Sequence, residues 1–265
     1  MRILWLSDSP FVVSAYGQQA ALFLPRLRAT GHEVSVFARD EVTRGASLHF
    51  ALPDGTRLDA WDREPIDRAI SLADPHVLDH AAWSKYPWIA WTPVDCDPPY
   101  EGTLAALRNA RRAFAMSRHG EALLRTAGVA CDYVPHGIDT AVFRPGDQAI
   151  ARDALGRLLG CDLKGKFLVV SVAANASKNP SRKGFSEMFV AFKAFLDRHA
   201  DVVLYVHAKI DGGERGEDLL RLLQDVGLGV DRVLFPPQYP FVSGLFRPEH
   251  VAVIYRAADV YLSAS

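Results

Sequence analysis

The chain has 265 residues, of which 49% are hydrophobic and 23% charged, with a formal net charge of −1. That balance suits a globular protein of one large or two ordinary domains, and it lacks the electrostatic footprint of a general nucleic-acid or anionic-membrane binder. The three cysteines, Cys96, Cys131 and Cys161, are widely spaced and form no zinc pattern, so reduced thiols in a cytoplasmic setting are expected.

Met1-Arg2 leads straight into Ile3-Leu4-Trp5-Leu6, an apolar run too short for a signal core. No stretch approaches the ~20 apolar residues of a membrane span; peripheral membrane contact stays open. Short apolar runs alternate with helical periodicity along the chain, which predicts α/β architecture with parallel strands. Ile3–Leu6 reads as a strand buried on both faces, because it does not alternate. A loop with Ser14 and Gly17 precedes a helix over about Gln18–Thr30, which Gly31 ends. Glu33–Ala38 is the second strand. Further strands are predicted at Pro75–Asp79, Trp88–Thr92, Ala113–Met116 and Tyr133-Val134, and helices at Thr103–Asn109 and Gly120–Ala127.

The segment from Arg144 to Lys166 changes character, with Pro145-Gly146, a charged amphipathic stretch and Gly165, and marks a domain boundary. The expected division is 1–145, a linker region 146–166, and 167–265. A second α/β pattern then begins. Phe167–Val172 is a β-branched strand. Phe185–Leu196 is a helix with Phe185, Met188, Phe189, Phe192 and Leu196 on one face. Val202–Val206, Leu219–Leu223, Val233–Phe235 and Glu249–Ala258 follow as strand, helix, strand and helix. The chain closes on an apolar strand around Val260-Tyr261-Leu262 that reads as central.

In open α/β sheets ligands sit beyond the carboxyl ends of the strands, so the loops after Leu6, Thr92 and Val172 are the places to look for chemistry. Asn175-Ala176-Ser177-Lys178-Asn179-Pro180-Ser181-Arg182-Lys183-Gly184 follows a buried strand and opens a helix. A helix N-terminus offers unpaired N–H groups and a positive dipole end. Arg182 adds a planar fork for phosphate oxygens and Lys183 a compact charge, a set that suits a diphosphate better than a solvated basic turn. Gly17 has two readings, turn chemistry or close approach of backbone to a ligand. Asp95, in Thr92-Pro93-Val94-Asp95-Cys96-Asp97, would bind sugar hydroxyls or assist proton transfer, or organise a proline-rich turn together with Asp97. His136, in Pro135-His136-Gly137-Ile138-Asp139, is a structural histidine unless its surroundings say otherwise; His80, His207 and Lys209 read as structural too. No Ser/His/Asp order, P-loop, His/Cys metal spacing or G-x-G-x-x-G after the first strand appears.

Taken in order, these segments resemble the family-4 glycosyltransferases of the GT-B fold, which use nucleotide sugars and retain anomeric configuration. The resemblance rests on Ala115-Met116-Ser117-Arg118-His119-Gly120, Pro135-His136-Gly137-Ile138-Asp139 with Phe143-Arg144-Pro145, Asn175 with Arg182-Lys183-Gly184, Asp231-Arg232-Val233-Leu234-Phe235, and Tyr255-Arg256-Ala257-Ala258-Asp259-Val260. It implies two Rossmann-like domains with parallel sheets, the first binding an unknown glycan, lipid or small-molecule acceptor and the second the nucleotide-diphosphate sugar. Arg182 and Lys183 would stabilise the leaving diphosphate, with Asn175 and Gly17 as further donor contacts and Asp95 and His136 facing acceptor or sugar. No cofactor or metal would be required.

The chain departs from the family pattern in having one glycine in its first loop, a Thr92-Pro93-Val94-Asp95 segment where many members carry histidine, and a lengthened donor loop. The family continues past a segment like 258–265 with a Glu-Gly-Phe-Gly-like loop and a second glutamate that hold the donor sugar. The expectation is therefore a C-terminally truncated hexosyltransferase with an incomplete second domain, weakly active or inactive alone. A non-catalytic nucleotide- or glycan-binding fragment and a GT-B-like sugar-nucleotide epimerase are the alternatives.

Overall fold

The computed structural model describes residues 1–12, 14–39, 50–51, 57–58, 65–79, 83–176 and 181–264. Most of the expected acceptor wall at 39–65, His80, and Ser177, Lys178, Asn179 and Pro180 of the basic loop lie outside those residues. The chain divides into two compact units, Met1–Ile138 and Asp139–Ser265.

The first unit is built on β1 (Arg2–Ser7), flanked in parallel by β2 (Glu33–Ala38) and by β5 (Arg68–Leu72). Two short strands, β3 (Phe50–Ala51) and β4 (Arg57–Leu58), extend one edge. The other side continues through β6 (Trp88–Thr92), β7 (Arg112–Ala115) and β8 (Cys131–Tyr133). The order among the described residues is β3-β4-β2-β1-β5-β6-β7-β8, parallel except for β3 against β4. Because side chains alternate along a strand, β1 feeds two cores. Ile3 and Trp5 pack with Leu24, Val34 and Trp91, whereas Leu4 and Leu6 pack with Trp88, Leu104 and Leu124. Helices α1 (Ala15–Ala29), α2 (Glu101–Leu107) and α3 (Arg118–Thr126) cover the faces.

The strand expected at Pro75–Asp79 is instead Arg68–Leu72, and Pro75–Val77 forms a 3-10 turn entered through Asp74. Proline sits at the start of that turn, where its fixed φ fits and its missing N–H costs nothing. Helix α1 begins earlier than expected because Ser14 caps it, its Oγ accepting from the Gly17 N–H at 2.9 Å.

The second unit holds a four-stranded parallel sheet ordered β11-β10-β9-β12 among the described residues, formed by β9 (Phe167–Val172), β10 (Val202–His207), β11 (Val233–Leu234) and β12 (Val260–Tyr261). Strand β12 lies at one edge of this sheet among the described residues, with both its residues exposed. Its helices are α4 (Gln148–Leu159), α5 (Phe185–Leu196), α6 (Leu219–Asp225), α7 (Gln238–Val242) and α8 (Pro248–Ala257). Phe185, Met188, Phe189 and Phe192 of α5 pack against Val169, Leu204 and Val206 on one face. Leu155 of α4 and Ile254 of α8 pack against Leu168, Val170 and Tyr205 on the other.

The stretch 146–166 thus contributes a core helix of the second unit. Asp147 caps it by accepting from the Ile150 N–H at 3.0 Å, and Gly160, with φ +68°, ends it in the left-handed region. Arg152 of α4 donates through Nε to the Ala257 carbonyl at 2.9 Å and pairs with Asp259, while Asp259 accepts from the Leu168 N–H at 2.7 Å. Arg256 donates to the carbonyls of Val142 and Arg144 at 2.5 and 2.9 Å. The segment 255–260 is therefore a structural tie among α8, α4 and the 142–144 turn. Among the described residues no helix is long and apolar enough to cross a membrane.

Candidate functional site

In the first unit, Gly17, Asp95 and His136 stand on loops or the helix start that follow the carboxyl ends of β1, β6 and β8. Gly17 answers to its own loop. A Cβ there would come within 2.4 Å of the Val12 carbonyl oxygen and 2.7 Å of that of Ser9, closer than packed atoms tolerate, so the residue lets Ser9 and Val12 lie against the start of α1. Ser14 Oγ donates to Asp8 Oδ2 at 2.6 Å, and at the start of α1 Tyr16 Oη donates to Asp74 Oδ2 at 3.2 Å. Burial and the neighbouring Asp74 push the Tyr16 phenol well above its ordinary value.

His136 is half-buried edge-on to Trp91, with ring centroids 5.1 Å apart. Its Nε2 is buried and has no hydrogen-bond partner among the described residues, and burial holds its pKa below the ordinary value. A neutral imidazole with an open nitrogen donates or accepts according to its tautomer. The next residue, Gly137, is gripped by Gln19 of α1: Gln19 Nε2 donates to the Gly137 carbonyl at 2.8 Å and its Oε1 accepts from the Gly137 N–H at 3.0 Å. Asp95 is exposed just past β6. Asp97 enters a cis bond to Pro98, as a proline-rich turn allows.

In the second unit, Asn175, Arg182 and Lys183 lie between the carboxyl end of β9 and the start of α5. Arg182 is exposed and Lys183 half-buried, in a two-residue turn that Gly184 closes. Gly184 has φ +58°, and a Cβ would meet the Ala264 carbonyl oxygen at 2.8 Å, so glycine is required on both counts. Gly184 is also the N-cap of α5 and brings no side chain to the first-turn N–H groups. Those groups and the two cations offer an anion a dipole end, a fork and a point charge together.

Asn175 has a different task from the one its neighbours suggest. It is buried, and its carboxamide is occupied by backbone: Nδ2 donates to the carbonyls of Lys209 at 3.0 Å and Glu217 at 2.7 Å, and Oδ1 accepts from the Glu217 N–H at 2.8 Å. It ties the 209–217 loop to the end of β9. Glycine allows that contact, since a Cβ on Gly216 would lie 2.6 Å from the Asn175 carbonyl oxygen.

His207 at the end of β10 is structural. It shares a 2.8 Å hydrogen bond with Tyr205 Oη, and its ring meets Phe241 and Phe246 with centroids 5.0 and 4.9 Å away. Burial lowers its pKa to about 4. Among the described residues no group of three acidic, histidine or cysteine side chains is placed to hold a metal ion, and none of the cysteines is in a disulfide. Sequence reasoning missed Gln19 and Glu217. Nothing local separates Gln19 from Gln18, and Glu217 sits in a charged run that reads as solvated surface.

No protein-family model matches the chain. A D-inositol 3-phosphate glycosyltransferase of Acidothermus cellulolyticus is 32% identical over 141 residues, a match covering 50% of this chain and 27% of that enzyme. The chain thus aligns with about a quarter of that relative's length. Among solved structures, a glycosyltransferase from Rickettsia africae superposes with a TM-score of 0.64 at 11% identity, covering 100% of this chain and 73% of that one. A trehalose-6-phosphate structure from E. coli, bound with UDP-2-fluoro glucose, gives a TM-score of 0.59 at 14% identity and covers 99% of this chain and 78% of that one. At these identities the likeness speaks for architecture: two α/β units with parallel sheets, in the GT-B fold.

Proposed function

We propose that the chain is part of, or is, a glycosyltransferase that takes a nucleotide-diphosphate sugar, with UDP as the nucleotide, and moves its hexose to an acceptor with retained configuration. The observation that carries this reading is the Arg182-Lys183 turn between β9 and the N-terminus of α5, in a fold whose solved neighbours include one bound with UDP-2-fluoro glucose. The partial likeness to a sugar transferase acting on D-inositol 3-phosphate supports the same class.

In this reading Arg182 and Lys183 meet the diphosphate as negative charge grows on it during bond breaking, which lowers the barrier because the donors are already in place. No metal is needed for that charge. Asp95 and His136 belong to the first unit's acceptor or sugar side. Gly17 accommodates Ser9 and Val12 there, and Asn175 holds the frame from which the cationic turn projects.

Incubation of the chain with a UDP-hexose labelled at the anomeric carbon tests the reaction class. Release of UDP with the label in a new glycosidic bond of unchanged configuration is the expected outcome. An epimerised nucleotide sugar, or free sugar as the sole product in the presence of acceptor extracts, would contradict transfer.

A further inference from the structure

The cationic turn is held from both ends, and one of the two restraints comes from a distant loop. Downstream, Gly184 is locked by its left-handed backbone and its approach to Ala264. Upstream, Ser181 Oγ donates to Glu217 Oε2 at 2.6 Å, the short distance of a hydrogen bond to a charged acceptor. Ser181 immediately precedes Arg182 in the chain. Glu217 lies 36 residues further on, in the loop between β10 and α6.

Glu217 is well fixed for such a role. Asn175 grips both its N–H and its carbonyl. The Glu217 carbonyl also accepts from the Gly212 N–H at 3.1 Å, and Gly216 N–H donates to the Gly212 carbonyl at 2.9 Å. A Cβ on Gly212 would lie 2.1 Å from the Gly216 Cα, so the loop closes on itself only with glycine at these positions. The 211–218 loop is further paired by a bridge between Asp211 and Asp218. The result is a loop closed on itself and tied to Asn175, with the Glu217 carboxylate spent on the residue before Arg182.

We propose that Glu217 is a positioning residue for the Arg182-Lys183 turn, acting through Ser181 and held in place by Asn175. It touches neither donor nor acceptor; it fixes where the two cations stand, and misplacement of binding groups by even 1 Å is costly. The proposal rests on the reading of this turn as the diphosphate site, and its test separates the two.

Hydrogen–deuterium exchange over 181–184 and calorimetric titration with UDP are measured on wild type and on Glu217→Ala, Ser181→Ala, their double variant, Glu217→Gln and Ser181→Thr. Glu217→Ala and Ser181→Ala are each expected to speed exchange in the turn and weaken UDP binding about tenfold, at an unchanged melting temperature. The double variant is expected to be no worse than either single change, because one contact is lost in all three. Glu217→Gln and Ser181→Thr keep an acceptor and a hydroxyl, so both stay within about threefold of wild type. Should Glu217→Ala fail to fold, Ser181→Ala breaks the same contact. Unchanged exchange and affinity in the alanine variants, or additive losses in the double variant, would overturn the proposal. Faster exchange in a chain that binds no UDP would keep Glu217 as the positioning residue while removing the diphosphate reading.

Discussion

At the residue scale, single buried groups tie stability to pH and to backbone fit. His207 has its pKa lowered from 6.5 to about 4 by burial among aromatic rings. Between those values the unfolded chain binds a proton that the folded chain refuses, so stability rises with pH through that window and is lost as pH falls from 6.5 toward 4. The depression corresponds to about 3 kcal/mol at most. Urea unfolding of wild type and His207→Gln at pH 7 and pH 4.5 checks this: the variant is expected to lose distinctly less stability on acidification, and equal losses would show that His207 is not the group responsible. Gly17→Ala makes a second residue-scale case. Its Cβ meets two backbone carbonyls, which the loop relieves only by shifting, so about 1–3 kcal/mol of stability should go. Thermal melting measures it, and an unaffected melt would return Gly17 to the ligand-approach reading.

At the scale of elements, the tie of α4 and β9 to Asp259 is the most exposed to test. Removing the carboxylate takes an acceptor from the Leu168 N–H and from the Arg152 guanidinium, which keeps its bonds to the Ala257 and Lys166 carbonyls, in a place where the Arg152 and Asp259 side chains are only 17% and 24% exposed. Asp259→Ala is expected to cost about 2 kcal/mol in urea denaturation, and a loss under about 0.5 kcal/mol would make the pair ornamental. These elements also show what was legible in advance. β9 and α5 run as expected from residue 167 to 172 and from 185 to 196, because a β-branched run and aromatic residues at helical spacing each fit one period only. β5 was displaced: Arg68-Ala69-Ile70-Ser71-Leu72 mixes small and polar residues, whereas the nearby Pro75-His76-Val77-Leu78 stretch carries two β-favouring aliphatic residues in a row but starts on proline. For the site, Arg182 and Lys183 were readable as cations beside a helix start. Asn175 was readable as a residue of interest but not by task, since its partners are backbone atoms 34 and 42 residues away. The Ser181–Glu217 contact joins two loops and leaves no periodic trace.

For the whole molecule, two units each carry their own parallel sheet and paired cores, and the architecture is that of GT-B proteins. Fold alone does not choose among transfer, epimerisation and simple nucleotide binding; all three call for a diphosphate site, and the proposed function assigns that site to the cationic turn at the carboxyl end of β9. Calorimetric titration of UDP into the wild-type chain and into Arg182→Ala/Lys183→Ala tests that claim most directly. The account predicts saturable binding by wild type with a Kd on the order of micromolar and a loss of at least about tenfold in the variant, with thermal unfolding unchanged. Absent binding by wild type, or equal affinity in the two proteins, would contradict it.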